Sequence, residues 1–357
     1  MHNLKVLVIN PGSTSTKFAI FQGQESIFTQ TIRHNDEDIM TYPTIADQLD
    51  YRLGLLLDVL KTQGIELSTL EGIVGRGGFL KPLNSGTYLV NEDMLQDLKS
   101  ARYGEHASNL GAMMAHKLGT KHNLPSYIVD PIVVDEFEET SRISGIPDIE
   151  RISNLHALNI KAVSRKVASE LGGAYETYNF VIAHIGGGVS VAAQKKGRII
   201  DVNNANNEGP FSPERAGGLP AYSLVKLCYS GKFTEKEMLD LLTKKGGLYA
   251  YLGTKNALDA ENMALAGDEK ANLVLDAMIH QIAKEIGAMT AVLDGEINGI
   301  ILTGGICYSD FLVTKLKKKI SFLGEIFVVP GEEELEALAK GALRVLTKAE
   351  EAKEYHS

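Results

Sequence analysis

The sequence predicts an α/β protein of two domains, and three observations support that prediction. Short runs of β-branched and other apolar residues alternate with longer stretches in which leucines recur at a helical spacing. A strand–turn–strand pattern with a polar or glycine-rich turn occurs twice, about half a chain apart. The 357 residues also exceed one ordinary hydrophobic core and fit two domains of typical size.

The first hairpin opens the chain. Residues 5–9 read Lys-Val-Leu-Val-Ile, and residues 17–21 form a second apolar run. Between them, the segment from Asn10 to Thr16 contains a proline, a glycine and several hydroxyl side chains. Such residues interrupt regular structure, so the segment is predicted to be a polar turn between two strands.

The second hairpin follows the same pattern. An apolar run at 180–185 leads into Gly186-Gly187-Gly188, and a second run follows at 189–193. Gly197 and Arg198 then make a turn into a third predicted strand at 199–202. Because the pattern repeats while the residues differ, we interpret it as a duplicated domain whose sequence similarity has been lost.

The remaining elements alternate between helix and strand. Helices are predicted at 45–62, 106–121, 155–171, 271–294 and 309–319, and strands at 299–303 and 325–329. Pro330-Gly331 then breaks the chain before a terminal helix rich in Glu, Ala, Leu and Lys. We place the first domain at 1–150 plus 331–357 and the second at 151–330.

Composition narrows the function classes. A formal net charge of -9 argues against a nucleic-acid surface. Two cysteines, Cys228 and Cys307, support neither a disulfide framework nor a thiolate metal site. No apolar stretch approaches the roughly 20 residues that span a bilayer, and no signal peptide is recognised at the N-terminus. We expect a cytoplasmic protein without membrane or nucleic-acid partners.

Three turns could bind phosphate. The turn from Asn10 to Thr16 offers backbone N–H groups and hydroxyls, although it lacks the Gly-Lys-Ser/Thr ending of a P-loop. Gly186 to Gly188 carry no side chains that would keep a phosphate away from the backbone, and Gly304-Gly305 are similar. Each glycine turn alone is more often an ordinary tight turn, whereas for the segment from Asn10 to Thr16 a plain polar hairpin turn and a phosphate site are equally expected. All three follow a predicted buried strand, which favours a nucleotide site.

Charged candidates lie beside glycines or at strand ends. Arg76 and Arg215 each neighbour a pair of glycines, which leaves room to present a guanidinium to an anion, although surface arginines beside turns are common. Asp130 follows the apolar run 127–129, an active-site position that an ordinary Asp-Pro turn also explains. Histidines are scattered without metal-ligand spacing.

Several motifs together resemble the acetate kinase family, in its butyrate kinase branch, within the sugar kinase–Hsp70–actin superfamily. The resemblance runs nearly end to end. The motifs are Val8 to Lys17, Gly75-Arg76-Gly77-Gly78, His106 to Gly111, Val129-Asp130-Pro131, Leu155 to Asn159, His184 to Gly188, Thr303 to Ile306 and Pro330 to Leu335. The chain departs from acetate kinases at Gly187 and at Cys307 to Ser309, on the adenine side.

The resemblance implies two actin-like (ribonuclease H-like) domains flanking a nucleotide cleft, with ATP/ADP and Mg²⁺ as cofactors. It implies catalytic roles for Asn10 at the transferring phosphoryl group, Arg76 and Arg215 at the substrate carboxylate and transition-state oxygens, His156 at the γ-phosphate, and Asp130. It implies nucleotide contacts from His184, Gly186, Gly187, Gly188, Gly304 and Gly305, with Thr254 and Asn256 near the adenosine. Asp130 and Glu333 would act around the metal ion.

The implied activity is reversible phosphorylation of a short-chain carboxylate by ATP through direct in-line transfer. Acetate kinases have valines after the arginine where this chain has glycines, so we expect Gly78 to leave room for butyrate or isobutyrate. Three alternatives remain: an acetate or propionate kinase, a sugar or other hydroxyl kinase with Asp130 as general base, and a non-enzymatic ATP-dependent clamp. The family habit is a homodimer or a larger homo-oligomer.

Overall fold

A computed structural model describes residues 3–357, so Met1 and His2 lie outside the described residues. Contacts divide the chain into two compact units, one reaching to Val134 and resuming at Glu333–Ser357, the other comprising Asp135–Glu332. The first boundary lies before the predicted residue 150. Residues 135–150 belong with the second unit because the Glu136 carboxylate pairs with the Lys161 ammonium at 2.6 Å.

The elements follow one another in an α/β order. The strands are β1 (Lys5–Pro11), β2 (Ser15–Gln22), β3 (Glu25–Arg33), β4 (Gly72–Arg76), β5 (Thr87–Leu89), β6 (Ser126–Val129), β7 (Asn179–Ile185), β8 (Val189–Lys195), β9 (Arg198–Val202), β10 (Gly299–Gly304) and β11 (Ile326–Pro330). The helices are α1 (Asp36–Ile39), α2 (Leu49–Thr62), α3 (Glu92–Lys99), α4 (Asn109–His122), α5 (Glu139–Arg142), α6 (Ala157–Glu170), α7 (Ala221–Cys228), α8 (Glu235–Thr243), α9 (Gly247–Leu252), α10 (Ala257–Leu265), α11 (Glu269–Val292), α12 (Asp310–Ile320) and α13 (Glu334–Leu346).

The first unit is built on a sheet of order β3-β2-β1-β4-β6-β5. Strands β1, β2 and β3 form an antiparallel meander, and β4 and β6 continue parallel to β1. Strand β1 is buried from Val6 to Pro11, as its β-branched sequence requires of a central strand covered on both faces. Helices α4 and α13 pack against this sheet.

Helix α4 touches β4 backbone to backbone. A Cβ on Gly75 would lie 2.1 Å from the Gly111 carbonyl oxygen, and a Cβ on Gly111 would lie 2.3 Å from the Arg76 carbonyl oxygen. Only glycine permits this approach. The pair therefore fixes the end of β4, and with it the start of the Arg76 side chain.

The second unit repeats the topology of the first. Its sheet has the order β11-β10-β7-β8-β9, in which β7, β8 and β9 form the antiparallel meander and β10 and β11 run parallel to β7. Helix α11 packs on β7 and β8 and supplies more residues to the apolar core than any other element, including Leu275, Ile282 and Ile286. The predicted pattern repeat is thus confirmed as a repeat of strand order.

None of the helices within residues 3–357 has the length and apolar content needed to cross a membrane.

Candidate active site

In the first unit, Asn10, Arg76 and Glu334 form one polar cluster. The Arg76 guanidinium contacts both Glu334 carboxylate oxygens, with Nη2–Oε1 at 3.1 Å and Nη1–Oε2 at 3.2 Å. The Asn10 amide donates to Glu334 Oε2 at 2.7 Å, and its Oδ1 accepts from Arg76 Nη1 at 3.3 Å. Three elements, β1, β4 and the start of α13, therefore converge on one carboxylate.

Strand register explains why these side chains meet. Strands β1 and β4 are parallel and pair Ile9 with Gly75, so Asn10 and Arg76 follow at adjacent positions at the carboxyl ends of both strands. Parallel strands commonly bring functional side chains together at that edge. Glu334 is the first residue of α13, where a carboxylate is favoured by the helix dipole.

Arg76 retains donors beyond this cluster. The guanidinium has five N–H groups, and Glu334 and Asn10 are contacted through Nη1 and Nη2. The Nε–H group makes no hydrogen bond within the described part of the chain. The edge formed by Nε and Nη2 has the geometry that binds a second carboxylate side-on.

The turn between β1 and β2 presents backbone donors outward. Ser13 and Thr14 are exposed, and within residues 3–357 their N–H groups donate no hydrogen bond. Lys17 is exposed just beyond them. The turn can therefore offer neutral donors to a phosphate oxygen, as the sequence predicted for residues 10–16.

Asp130 lies buried directly after β6, with a positive φ of 38°. Its Oδ1 accepts from the Gly86 N–H at 2.7 Å, and its own N–H donates to the Gly86 carbonyl at 3.1 Å. These bonds hold the turn that leads into β5. The Asp130 carboxylate thus braces this turn.

Glu333 is exposed at the N-cap of α13, while its neighbours Glu332 and Glu334 pair with other side chains. Within residues 3–357 no group of three or more His, Cys, Asp or Glu side chains is placed to hold a metal ion. Mg²⁺ is usually held by one or two carboxylates together with substrate phosphates. Glu333 and Asp130 carry oxygen donors of the type that Mg²⁺ prefers, and their role around a metal ion stays a prediction.

Gly78 does not leave room for a longer acid, so that prediction is wrong. A Cβ at this position would lie 2.3 Å from Asn109 Oδ1 and 2.6 Å from Asn109 Cα. The start of α4 already fills the space, and the Asn109 side chain accepts from the Phe79 N–H at 2.9 Å. The sequence could not reveal this contact because Asn109 lies far along the chain.

His106 and Phe79 lie on the same side of the first unit. Their rings meet edge to face with centroids 6.0 Å apart. Burial, and secondarily the charge of Arg76, lower the pKa of His106. The Ser108 N–H donates to Nδ1 of the ring, so the neutral imidazole carries its proton on Nε2.

In the second unit, His156 and His184 stack with ring centroids 3.8 Å apart and planes 11° from parallel. His156 is the N-cap residue of α6 and shares a hydrogen bond with the Ser190 hydroxyl at 3.0 Å. The stack and this bond together fix the plane of the His156 ring.

His184 is fully buried on β7, and its tautomer follows from its neighbours. The Asn159 amide donates to Nδ1 at 2.9 Å and to Thr303 Oγ1 at 3.1 Å, so Nδ1 is unprotonated. Nε2 lies 3.1 Å from Glu332 Oε1, within ion-pair distance but not aligned as a hydrogen bond.

The predicted glycine turns contain some glycines that are packed against neighbouring backbone and others that have free space around them. Gly186 donates to the Gly188 carbonyl at 3.0 Å, which closes the turn between β7 and β8. Gly304 has φ 95°, and a Cβ there would lie 2.4 Å from the Ile185 carbonyl oxygen. Gly305 has no atom within 4 Å of its Cβ position. Such backbone can approach a phosphate closely.

Arg215 lies against the first of these turns, since a Cβ on Gly188 would be 2.5 Å from its Nη1. Nη1 donates to the Ala205 carbonyl at 3.2 Å, whereas the buried Nε has no partner within residues 3–357. Burial lowers the pKa of Arg215, and the neighbouring Glu214 opposes that shift. An unsatisfied buried guanidinium donor favours an anionic ligand.

Asn256 is the N-cap of helix α10, and Thr254 supports this cap by accepting from the Asn256 N–H at 3.1 Å. The Asn256 side chain accepts from the Leu258 N–H at 3.0 Å, and both predicted residues bond to the Asp259 carboxylate. Lys255, between them, reaches Glu214 at 3.3 Å and so connects this loop to the Arg215 loop. The structure gives these two side chains a local capping role, and their adenosine contact stays a prediction.

Sequence reasoning missed three partners of the site. Glu334 holds Arg76, Glu332 approaches His184, and Ser190 orients His156. The run of three glutamates at 332–334 indicated a functional segment in the sequence. The partner of each carboxylate, however, depends on how the end of β11 and the first turn of α13 orient it.

Known proteins resemble this chain in sequence and in fold. A sequence model described as the acetokinase family matches residues 150–348. Butyrate kinase 2 of Clostridium acetobutylicum is 51% identical over 352 residues, which cover 98% of this chain and 99% of that protein.

Two solved structures share the fold. An acetate kinase from Porphyromonas gingivalis has a TM-score of 0.79 at 19% identity and covers 96% of this chain and 100% of that chain. A propionate kinase from Francisella tularensis has a TM-score of 0.75 at 19% identity, with 94% and 98% covered. These likenesses confirm the predicted α/β, actin-like fold.

Proposed function

The chain belongs to the acetokinase family, and we propose that it transfers the γ-phosphoryl group of ATP to butyrate or isobutyrate. The products are the acyl phosphate and ADP, and the transfer is direct, in line and reversible. The relative that is 51% identical over nearly the whole chain is named a butyrate kinase, which supports the four-carbon acid.

The Arg76 cluster carries the proposal of a carboxylate acceptor. Glu334 and Asn10 hold the guanidinium in place, and its Nε–H remains without a partner in the described chain. In the proposed complex, the acid binds the Nε and Nη2 edge through its two oxygens. A preorganised arginine loses little conformational entropy on binding, so the acid is oriented at low cost.

A carboxylate is nucleophilic at neutral pH, so the reaction needs no general base. The acid's oxygen attacks the γ-phosphorus while the bond to the bridging oxygen of ADP breaks, and charge spreads over three equatorial oxygens. Asn10, the turn N–H groups of Ser13 and Thr14, His156 and Arg215 are the donors proposed to stabilise that charge.

Gly186 to Gly188, His184, Gly304 and Gly305 are proposed to contact the nucleotide, with Thr254 and Asn256 near the adenosine. Mg²⁺, held through Glu333 and Asp130, would neutralise charge on the nucleotide phosphates. The buried position of Asp130, with one oxygen engaged by Gly86, disfavours the hydroxyl-kinase alternative in which it acts as a base.

A kinetic series tests the acceptor. Purified protein is incubated with ATP, Mg²⁺ and hydroxylamine, and the acyl hydroxamate is measured for acetate, propionate, butyrate, isobutyrate and valerate. We expect the highest kcat/KM for butyrate or isobutyrate. A maximum at acetate would refute the chain-length proposal, and ATP turnover without hydroxamate would refute the carboxylate acceptor.

A homodimer or larger homo-oligomer is part of the proposal. Helix α7 buries none of its residues, and Tyr222, Val225 and Tyr229 around it are 75%, 56% and 89% exposed. An apolar surface of this kind supports association. Analytical ultracentrifugation of the wild type and of Val225→Glu tests it, and a monomeric wild type would contradict it.

A further inference from the structure

A fully buried arginine lies against the β1–β2 turn. Arg52, on α2, has no exposed surface. Its guanidinium donates to three backbone carbonyls and two side chains. The acceptors are Gly12 O at 2.7 Å, Ser13 O at 2.9 Å, Ser15 O at 3.2 Å, Thr16 Oγ1 at 3.3 Å and Gln48 Oε1 at 2.8 Å and 3.0 Å.

Every carbonyl from Gly12 to Ser15 accepts a hydrogen bond. Arg52 takes three of them, and the His34 N–H donates to the Thr14 carbonyl at 2.9 Å. With the carbonyls held inward, the exposed Ser13 and Thr14 N–H groups are directed away from the arginine. The hydrogen bonds from Arg52 to the turn, here called the Arg52 clamp, therefore orient the N–H groups that a phosphoryl oxygen would meet.

The positive charge of Arg52 has no counter-charge nearby. Within residues 3–357 no carboxylate lies within ion-pair distance of its guanidinium, and Gln48, its side-chain partner, is neutral. His34, which bonds Thr16 at 2.8 Å, is neutral as well, since burial and then Arg52 lower its pKa to about 4. The cluster thus holds one uncompensated cation.

Burying a charge without a partner charge is unfavourable, even when hydrogen bonds satisfy the guanidinium. A residue retained at that cost is explained if an anion binds on the far side of the turn. The phosphoryl group of the proposed reaction is such an anion, and the buried position of Arg52 shields its charge from solvent on the other side of the turn.

We propose that Arg52 is a positioning residue for phosphoryl transfer, which orients the β1–β2 turn through its carbonyls and supplies a buried positive charge behind it. This inference rests on the proposed function, because it assigns the turn to the transferring phosphoryl group. Arg52 acts through the turn and does not itself contact the substrate.

Gln48→Glu separates charge from structure. The glutamate has nearly the shape of glutamine and can accept the same two hydrogen bonds from Arg52, so the Arg52 clamp stays intact. Its carboxylate, however, cancels the charge of Arg52. We expect an unchanged or higher melting temperature, a kcat lowered on the order of tenfold, and a weaker affinity for ATP relative to ADP.

Gln24→Glu is the matched control, since Gln24 is exposed in the turn between β2 and β3 and the same substitution there adds the same charge. A Gln48→Glu enzyme with wild-type kcat and a wild-type ratio of ATP to ADP affinity would overturn the proposal. The affinity ratio, measured by calorimetry, needs no acid. A wild-type enzyme that phosphorylates none of the acids would therefore contradict the proposed function and not the proposed role of Arg52.

Arg52→Lys and Arg52→Gln provide the second test if Gln48→Glu does not fold. Lysine keeps the positive charge but lacks the planar set of guanidinium donors, whereas glutamine has no charge. We expect Arg52→Lys to retain a kcat several-fold higher than Arg52→Gln at equal melting temperature. Equal kcat values in the two variants would refute a role for the charge.

Discussion

His34 should make the first unit lose stability in mild acid. Its pKa falls from 6.5 to about 4 in the folded protein, because burial and the Arg52 charge disfavour the imidazolium. The unfolded chain therefore binds more protons between these two values, and folding stability rises with pH across that window. The contribution is complete above about pH 6.5 and is lost as the pH falls toward 4.

The magnitude follows from the size of the pKa shift. Lowering the pKa from 6.5 to about 4 corresponds to about 3 kcal/mol in full. Between about pH 7 and about pH 5, linkage predicts a loss of about 2 kcal/mol from this one group. That loss is a large fraction of a typical domain's stability.

Hydrogen exchange measures this effect locally. Exchange protection of peptides from β1 and β2 gives the free energy of unfolding of the first unit at both pH values. His34→Asn should lose about 2 kcal/mol less than the wild type over that range. His280→Asn, an exposed histidine on α11, should behave like the wild type. Equal losses in His34→Asn and wild type, or a His34 that titrates near 6.5 by NMR, would refute the reasoning.

Three further variants test other contacts. Arg76→Ala should lower kcat about 10²- to 10³-fold while the calorimetric affinity for ADP stays unchanged, and full activity would contradict the acid site. Gly78→Ala should lower the free energy of unfolding, measured by chemical denaturation, by about 1–3 kcal/mol, since its Cβ would meet Asn109. The preferred acid should not change. A change of preference toward acetate would show instead that Gly78 does leave room for a longer acid. Lys161→Met removes the ammonium that pairs with the buried Glu136 carboxylate and should cost about 3–5 kcal/mol in the free energy of unfolding. Adding Glu136→Leu should restore only part of that loss, because the Ile199 N–H then loses its acceptor.

Part of each sheet could be predicted from the sequence, where the signals are local, whereas β3, β4 and β5 were not predicted. The two hairpins, the strand at 299–304 and the long helix α11 lie within a few residues of their predicted positions. Helices α7 to α10 were not predicted. Their exposed apolar side chains break the usual apolar stripe. The capping box of Thr234 and Glu237 at the start of α8 was the local signal that could have revealed that helix.

The sequence identified individual residues of the candidate site but not the contacts between them. Asn10 and Arg76 were singled out, and the structure brings them together because the β1–β4 register aligns them. Glu334 and Arg52 were not singled out, because their partners are distant in sequence: Asn10 lies 324 residues from Glu334, and Gly12 lies 40 residues from Arg52. Gly78 was misread for the same reason, since only the packing of α4 reveals what a side chain would meet there.

The two units share a topology but use their first turns differently. In the first unit, the carbonyls of the β1–β2 turn are held by a buried cation, and the exposed side carries hydroxyl side chains. In the second unit, the carbonyl of Gly187 accepts from the neutral Ser212 hydroxyl at 2.6 Å, and the turn carries no side chains. A charged turn suits one small, highly charged group such as the transferring phosphoryl. An open glycine turn suits the bulk of a nucleotide. The strand order can be duplicated without duplicating the chemistry, because these differences lie in a few residues outside the strands.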